Sequence, residues 1–417
     1  MALYDPASEP PAGLLFADLT QSWSDVGGGV RTYLRHKRRH ILESTPHRHL
    51  LIVPGRRDWV EVEEAGRAIT VSIASPRVPG SPHYRLLLRN GAVRRILETH
   101  CPDLIECQDA YNLPWAAIGH SRRHPAAALV AAYCTDFPTV YVNRPFSRWL
   151  GAPVGDLSAR ICYAYCGLLY RRFDAVYAMS KNGGAAKLSS LGVPEVDVVP
   201  LGVELGQFSP DKRDTGLRRR LGLEDGQPLL IYVGRLDGEK RVEVVVEAFR
   251  RLPQSVGAAL LLLGDGPLRD EFAGHEAERI FAPGYCRDRS DLAAWLASAD
   301  VYVSGMADET FGISIIEAQA SGLPVVGVAA GAMVDRVPRG LGFVGEVDDA
   351  TVMASNIMAV LDGDLVAMSE RARAHALQFS WSRSMELLFG QVYRRAMDRA
   401  AERGVTSVPG AALAGAR

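Results

Sequence analysis

Leu229-Leu-Ile-Tyr-Val233 is followed by Gly234-Arg-Leu-Asp-Gly-Glu-Lys-Arg241 and then by Val242-Glu-Val-Val-Val-Glu-Ala-Phe-Arg-Arg-Leu252. A short apolar run stopped by glycine reads as a buried strand, and the polar stretch after it as a loop. Apolar residues at helical spacing from Val242 predict a helix to Leu252. Strand, loop and helix in that order are one unit of a parallel sheet.

The same rhythm extends in both directions. Downstream lie Ala258-Ala-Leu-Leu-Leu-Leu263, Val301-Tyr-Val303 and Pro324-Val-Val-Gly-Val328; upstream lie Leu14–Asp18, His49–Val53, Ala128–Tyr133 and Ala175–Met179. Two series predict an α/β fold of two Rossmann-like lobes with a cleft between them, divided near Val203 to Asp211, where Leu-Gly-Val-Glu-Leu-Gly-Gln-Phe-Ser-Pro breaks the periodicity. The expected lobes are residues 1–205 and 206–379. A terminal helix is expected over 380–403, with Trp381, Met385, Leu388, Val392 and Ala396 on its apolar face. A small-residue tail at 404–417 reads as frayed.

The 417 residues suit two lobes of about 200 each. Apolar residues at 47% and charged residues at 23% exclude disordered, collagenous and coiled-coil classes. A formal charge of −1 argues against a nucleic-acid binder. Residues 1–205 carry 23 basic and 19 acidic side chains, and residues 206–417 carry 24 and 29, so the halves stand at +4 and −5. Six cysteines without Cys-x-x-Cys or metal-ligand spacing, and no signal-like or membrane-spanning apolar run, read as a cytoplasmic protein, peripheral on a membrane face at most.

Four constellations carry chemistry. Val26-Gly-Gly-Gly-Val30 precedes a helical stretch, and glycines there let backbone N–H groups approach an anion; a flexible connector is the bland alternative. Thr32 stands where a dinucleotide fingerprint wants a third glycine, which argues against a nicotinamide oxidoreductase. Arg235 and Lys240 lie on a loop at a strand's C-terminal end, where two cations suit a diphosphate or else are solvated. Gly264-Asp-Gly-Pro267 makes another tight turn after a strand.

The fourth is Asp308-Glu-Thr-Phe-Gly-Ile-Ser-Ile-Ile-Glu-Ala318. A helix from about Gly312 to Ser321 leaves Glu309 in the preceding loop and offers the amides of Phe311, Gly312 and Ile313 at its N-terminus. Glu317 lies about one turn further on. A carboxylate accepts two hydroxyl hydrogen bonds at once, as vicinal diols require; the bland alternative is a helix-end charge and a solvated helix residue.

In this order the motifs resemble retaining glycosyltransferases of family 4, with the GT-B fold. The similarity runs from Leu14 to about Tyr393 and includes Ala178-Met-Ser180, Leu191-Gly-Val-Pro194, Val198–Val203 and Phe379-Ser-Trp381. It implies a deep cleft, a nucleotide-sugar donor domain in the second lobe, an acceptor domain in the first, and a C-terminal helix crossing back. It further implies that Gly28 and Gly29 meet the donor diphosphate, that Arg235 and Lys240 neutralise it, and that Gly264 lines the donor side. Glu309 would bond the sugar with the amides of Phe311, Gly312 and Ile313, Glu317 would hold the ribose, and Tyr285 would lie near the base. A metal-independent front-face reaction on a UDP- or GDP-hexose is implied, with no cofactor and no metal site.

One departure stands out. Where family members carry His-Thr or His-Thr-Asp at the cleft wall, this chain has Cys134-Thr135-Asp136. A thiol is a weak hydrogen-bond partner, so Thr135 and Asp136 are the expected substitutes, and Cys134 reads as a small buried hydrophobe. For the hydroxyl acceptor (glycan, lipid or small molecule), Arg31 is a candidate contact. Four basic residues between Arg35 and Arg39 read as a solvated helix end or a contact to anionic lipid. Two other readings share the residues: a GT-B sugar-nucleotide epimerase and a non-catalytic nucleotide-sugar-binding protein.

Overall fold

A computed structural model describes residues 13–23, 28–78 and 81–406. Its chain divides into two compact units: the described parts of Met1–Met179, Gly184–Val199 and Met385–Arg417 form the first, and Ser180–Gly183 with Pro200–Ser384 the second.

In the first unit, β1 (Leu15–Leu19), α1 (Gly29–Ser44), β2 (Arg48–Gly55), β3 (Trp59–Glu63) and β4 (Ala68–Ala74) precede a small hairpin, β5 (Arg77–Val78) and β6 (Ser81–Arg85). Then come α2 (Asn90–His100), β7 (Leu104–Cys107), α3 (Leu113–Ser121), β8 (Ala128–Tyr133), α4 (Arg144–Leu150), α5 (Ala152–Tyr170), β9 (Ala175–Ala178) and β10 (Val196–Val198). The main sheet runs β10-β9-β8-β7-β1-β2-β4-β3, parallel except where β3 pairs antiparallel with β4. Leu15, Ala17 and Leu19 are buried, as a central parallel strand covered on both faces requires. Chain order reverses between β1 and β7, so the crevice beyond these two strands is the natural ligand position of this unit.

The second unit holds β11 (Leu229–Val233), β12 (Ala259–Leu263), β13 (Ile280–Gly284), β14 (Val301–Val303), β15 (Val325–Val328) and β16 (Gly342–Gly345), all parallel, in the order β13-β12-β11-β14-β15-β16. This is the doubly wound order, with its switch point between β11 and β14. The Arg235/Lys240 loop leaves β11 and the Glu309 loop follows β14, so both motifs sit at that switch point. The resulting architecture is the expected GT-B α/β fold.

The unit boundaries differ from the expected 205/206 and 379/380 divisions for identifiable reasons. Val203 N donates to Phe379 O at 2.8 Å, and a Cβ on Gly202 would come within 2.4 Å of Trp381 N, which keeps both connecting segments in the second unit. Ser180 Oγ donates to Thr310 O at 2.7 Å and Asn182 N to Asp335 Oδ2 at 2.8 Å, so this tetrapeptide packs there too. The terminal helix comprises Trp381–Leu387, a π-helical turn Leu388–Tyr393, and Arg394–Thr406. Gly404 is helical and therefore does not open a tail; residues 407–417 lie outside the described residues. Tyr393, Arg399 and Arg403 dock the helix on the first unit, through Glu106 for the tyrosine and Asp174 for the arginines.

Candidate active site

In the second unit the helix over Ile313–Ala320 starts behind Gly312, which takes φ 85° and ψ 57°, a left-handed conformation suited to glycine. The turn folds Glu309 back on the helix start: its Oε1 accepts from Gly312 N at 3.1 Å and from Phe311 N at 3.5 Å. The expectation that these two amides stand open for a ligand is corrected, because they serve the carboxylate. Ile313 is the first helical residue. Glu309 Oε2 lies 3.7 Å from Lys240 Nζ. Its main chain is pinned as well, since Ala332 N donates to Glu309 O at 2.8 Å. Arg336, buried and stacked 4.5 Å from the Phe311 ring centroid, donates to Phe311 O at 2.9 Å.

Arg235 is exposed but ion-paired, with Asp237 and Glu239 both at 2.7 Å. The bland alternative of a merely solvated loop charge is thus modified: two acids of its own loop hold the guanidinium. Two tyrosines set the loop ends. Tyr232 Oη donates to Arg235 O at 2.8 Å, and Tyr302 Oη lies 2.8 Å from Ser314 Oγ. Gly264 has a packing role, because a Cβ there would fall 1.7 Å from Gly234 O. The Gly-Asp-Gly-Pro turn therefore lies directly on the Arg235 loop.

Glu317 is not a solvated helix residue: it is 3% exposed. Burial pushes its carboxyl pKa up, against the Arg289 guanidinium, whose Nη2 sits 2.5 Å from Oε1. Arg289, which stacks 4.9 Å from the Phe208 ring centroid, was missed in the sequence. The available signal was a basic residue just after the helix cap Asp288. Tyr285, immediately after β13, is 66% exposed.

In the first unit Gly28 caps α1 at φ 130° and Gly29 opens it; Val26 and Gly27 lie outside the described residues. Arg31 lies 5.3 Å over the Trp23 ring. At the end of β8, Cys134 Sγ donates to Gln108 Oε1 at 3.4 Å, and burial raises the thiol pKa well above its ordinary value, with Asp109 and Glu106 adding to it. That environment keeps the sulfur protonated. Thr135 is half-buried, while Asp136 is turned away from the role of polar substitute. Its carboxylate accepts from Tyr163 at 2.8 Å, Thr139 at 3.1 Å and Lys187.

The basic stretch of α1 gives a second correction. Lys37 is fully buried, bonded to Asp18 at 2.8 Å and Glu106 at 3.0 Å, and so is neither solvated nor available to lipid. Arg38 Nε donates to His49 Nδ1 at 2.9 Å, leaving Arg35 and Arg39 exposed. His49 Nε2 meets Asp18 Oδ2 at 2.6 Å. With Nδ1 accepting from Arg38, the imidazole is neutral and donates from Nε2. Burial lowers the His49 pKa to about 4; Asp18, though raised by burial, is held at about 2 by Lys37 and His49. Tyr33, Tyr177, Tyr393 and Gln108 also donate to Glu106, so every member of this network has partners.

Among the described residues, one group has metal-ligand geometry, Glu98 with His120 and His124. It belongs to α2, α3 and the turn after α3, and Arg123 pairs with the same carboxylate.

Comparison with known proteins agrees with this architecture. The family model of glycosyl transferases group 1 matches residues 214–377, and that of glycosyltransferase family 4 matches residues 27–207. A GDP-mannose-dependent alpha-(1-6)-phosphatidylinositol dimannoside mannosyltransferase of Mycobacterium tuberculosis is 27% identical, over 86% of this chain and 90% of its own. A GDP-mannose-dependent alpha-mannosyltransferase of the same species is 29% identical over 88% and 91%. Among solved structures, sucrose-phosphate synthase from Thermosynechococcus elongatus superposes with a TM-score of 0.71 at 19% identity, covering 92% of this chain and 99% of that one. HepE of Anabaena in complex with UDP-glucose gives 0.64 at 17% identity, covering 92% and 100%. With both halves matched in order and the fold shared, the chain belongs to glycosyltransferase family 4, a family of enzymes using sugar-nucleotide donors.

Proposed function

We propose that this glycosyltransferase moves a mannosyl group from GDP-mannose to a hydroxyl acceptor with retention of anomeric configuration and without a metal. The observation that carries the reading is the meeting of Lys240 and Glu309 at the switch point, 3.7 Å apart. The choice of donor base and sugar rests on the two relatives named as GDP-mannose-dependent.

The reaction breaks the bond between the sugar C1 and the diphosphate oxygen, leaving negative charge on the diphosphate. Lys240 and Arg235 meet that charge from fixed positions, Arg235 exchanging its contacts to Asp237 and Glu239 for phosphate oxygens. Gly28 and Gly29, at the start of α1, are the first unit's candidates for binding an anionic group through backbone N–H groups. Glu309, pinned at both main chain and carboxylate, accepts from sugar hydroxyls; Glu317, held by Arg289, accepts from the ribose. The departing phosphate oxygen takes the proton of the acceptor hydroxyl as the new C1–O bond forms on the face the diphosphate leaves. Arg31 and Thr135 are the acceptor-side candidates.

The test is a calorimetric panel of GDP-mannose, UDP-glucose and ADP-glucose, followed by turnover in EDTA and analysis of the product anomer. Binding of GDP-mannose, EDTA-resistant transfer and an α-linked product agree with the proposal. No binding of any nucleotide sugar, or an inverted product, overturns it.

A further inference from the structure

Helix α3 leaves the C-terminal end of β7 and returns the chain to the start of β8 at Ala128, so its last turn lies at the sheet edge where the strands begin. Gly28 and Cys134–Asp136 follow the opposite ends of the parallel strands β1 and β8. At the far edge, therefore, stands a cluster that glycosyl transfer does not use. Glu98, in the last turn of α2, faces His120 and His124 across the α2–α3 contact.

The backbone sets this arrangement. His124 N donates to His120 O at 3.0 Å, which carries helical spacing one turn past the end of α3 and puts both rings on one face. The imidazoles stack with centroids 4.3 Å apart. His120 Nδ1 lies 3.2 Å from Glu98 Oε1, and His124 Nε2 lies 2.8 Å from Glu98 Oε2. All three ligand atoms fall within 4.8 Å of one another. A tetrahedral ion with bonds of about 2.0–2.1 Å sets its ligand atoms about 3.3 Å apart, so a small outward shift of these side chains admits one.

The donor set selects the ion. His120 is fully buried, and burial lowers its pKa, which favours the neutral ring with a lone pair to give. Two imidazole nitrogens and one carboxylate oxygen suit zinc, with water as fourth ligand; magnesium and calcium want oxygen throughout. Arg123 is the competitor, its Nε 3.0 Å from Glu98 Oε1 and its Nη2 on the same oxygen. The Arg123 side chain is 53% exposed and is free to turn into solvent as a cation enters. We propose that Glu98, His120 and His124 form a structural zinc(II) site that clips α2 to the turn after α3, with Arg123 holding the carboxylate while the metal is away.

That turn is also where the terminal helix docks. Arg403 Nε donates to Pro125 O at 3.1 Å, and its Nη2 donates to Ser121 Oγ at 3.2 Å and to Ala127 O at 3.1 Å. A metal clip there stiffens the base on which the helix rests and takes no part in the proposed transfer.

The experiment uses the untagged full-length protein, stripped with EDTA and desalted, then titrated with zinc chloride by calorimetry and melted with and without the metal. The expected result is saturable binding of one zinc per chain with a raised melting temperature, and no shift with magnesium chloride. His124→Ala and Glu98→Gln, folded by circular dichroism, should each weaken zinc binding about tenfold or more. Arg123→Ala should tighten it about tenfold, because a neighbouring positive charge and a rival for the carboxylate are gone. Cys101→Ser, which removes an exposed thiol near Glu98, should leave the affinity unchanged. Absence of saturable zinc binding overturns the proposal. So does binding that His124→Ala leaves intact, or binding that Cys101→Ser abolishes.

Discussion

Lys240 Nζ stands 3.7 Å from Glu309 Oε2, while Glu309 Oε1 accepts from the amide of Gly312 at 3.1 Å. One carboxylate thus links the loop after β11 to the helix start after β14. The ammonium is kept beside the acid and the acid beside the helix N-terminus, so both ends of the site are set before a ligand arrives. A ligand diphosphate would compete for the lysine, freeing one carboxylate oxygen for sugar hydroxyls.

Lys240→Ala and Glu309→Ala should each lower kcat/KM at least tenfold, about 1.4 kcal/mol of transition-state stabilisation, with the melting temperature little changed. Because the two groups touch, the double variant should lose less than the product of the single losses. Steady-state kinetics on the four proteins checks this.

Removing Arg289 leaves Glu317 buried without its cation. Arg289→Ala should raise the donor KM and make it pH-dependent, because burial already raises the Glu317 pKa and the carboxyl then protonates more readily as pH falls. Donor KM measured between pH 5.5 and 8 should climb toward the acid end in the variant and stay flat in the parent.

The buried network around Lys37 predicts a stability effect unrelated to catalysis. Lys37→Met leaves Asp18 and Glu106 side by side without their shared cation and should cost about 3–5 kcal/mol by urea denaturation.

His49 gives an acid signature. Its folded pKa, near 4, lies below the unfolded value of 6.5. The stability it protects is fully present above pH 6.5 and is lost as pH falls from 6.5 toward 4, after which its contribution levels off. Melting temperatures should drop through that window in the parent and drop less in His49→Gln.

Thiol chemistry should order the cysteines. Cys101 is exposed, whereas Cys134 is held protonated by burial. At pH 7 a maleimide should label Cys101 first and Cys134 more slowly, read by peptide mass.

Much of this was legible in the chain because open α/β sheets write themselves as apolar runs stopped by glycine. The runs at Leu229, Ala258 and Val301 became β11, β12 and β14 within a residue. Strand β7 was illegible: Leu104-Ile-Glu-Cys107 has an acid at its centre, and only the fold brings Lys37 and three tyrosines around Glu106. Lys37 itself reads as one more charge in a basic run, since no local pattern reveals that its carbon stem points inward. The Asp136–Lys187 and Arg289–Glu317 pairs join residues 51 and 28 apart, beyond any periodicity. The motif residues were readable because their spacing is local to each strand end; their partners were not.

The most direct test of the central claim is titration calorimetry of GDP-mannose into the parent protein and into Lys240→Ala. The expected result is binding by the parent and at least tenfold weaker binding by the variant. Equal affinities for the two proteins would contradict the claim that Lys240 holds the donor diphosphate.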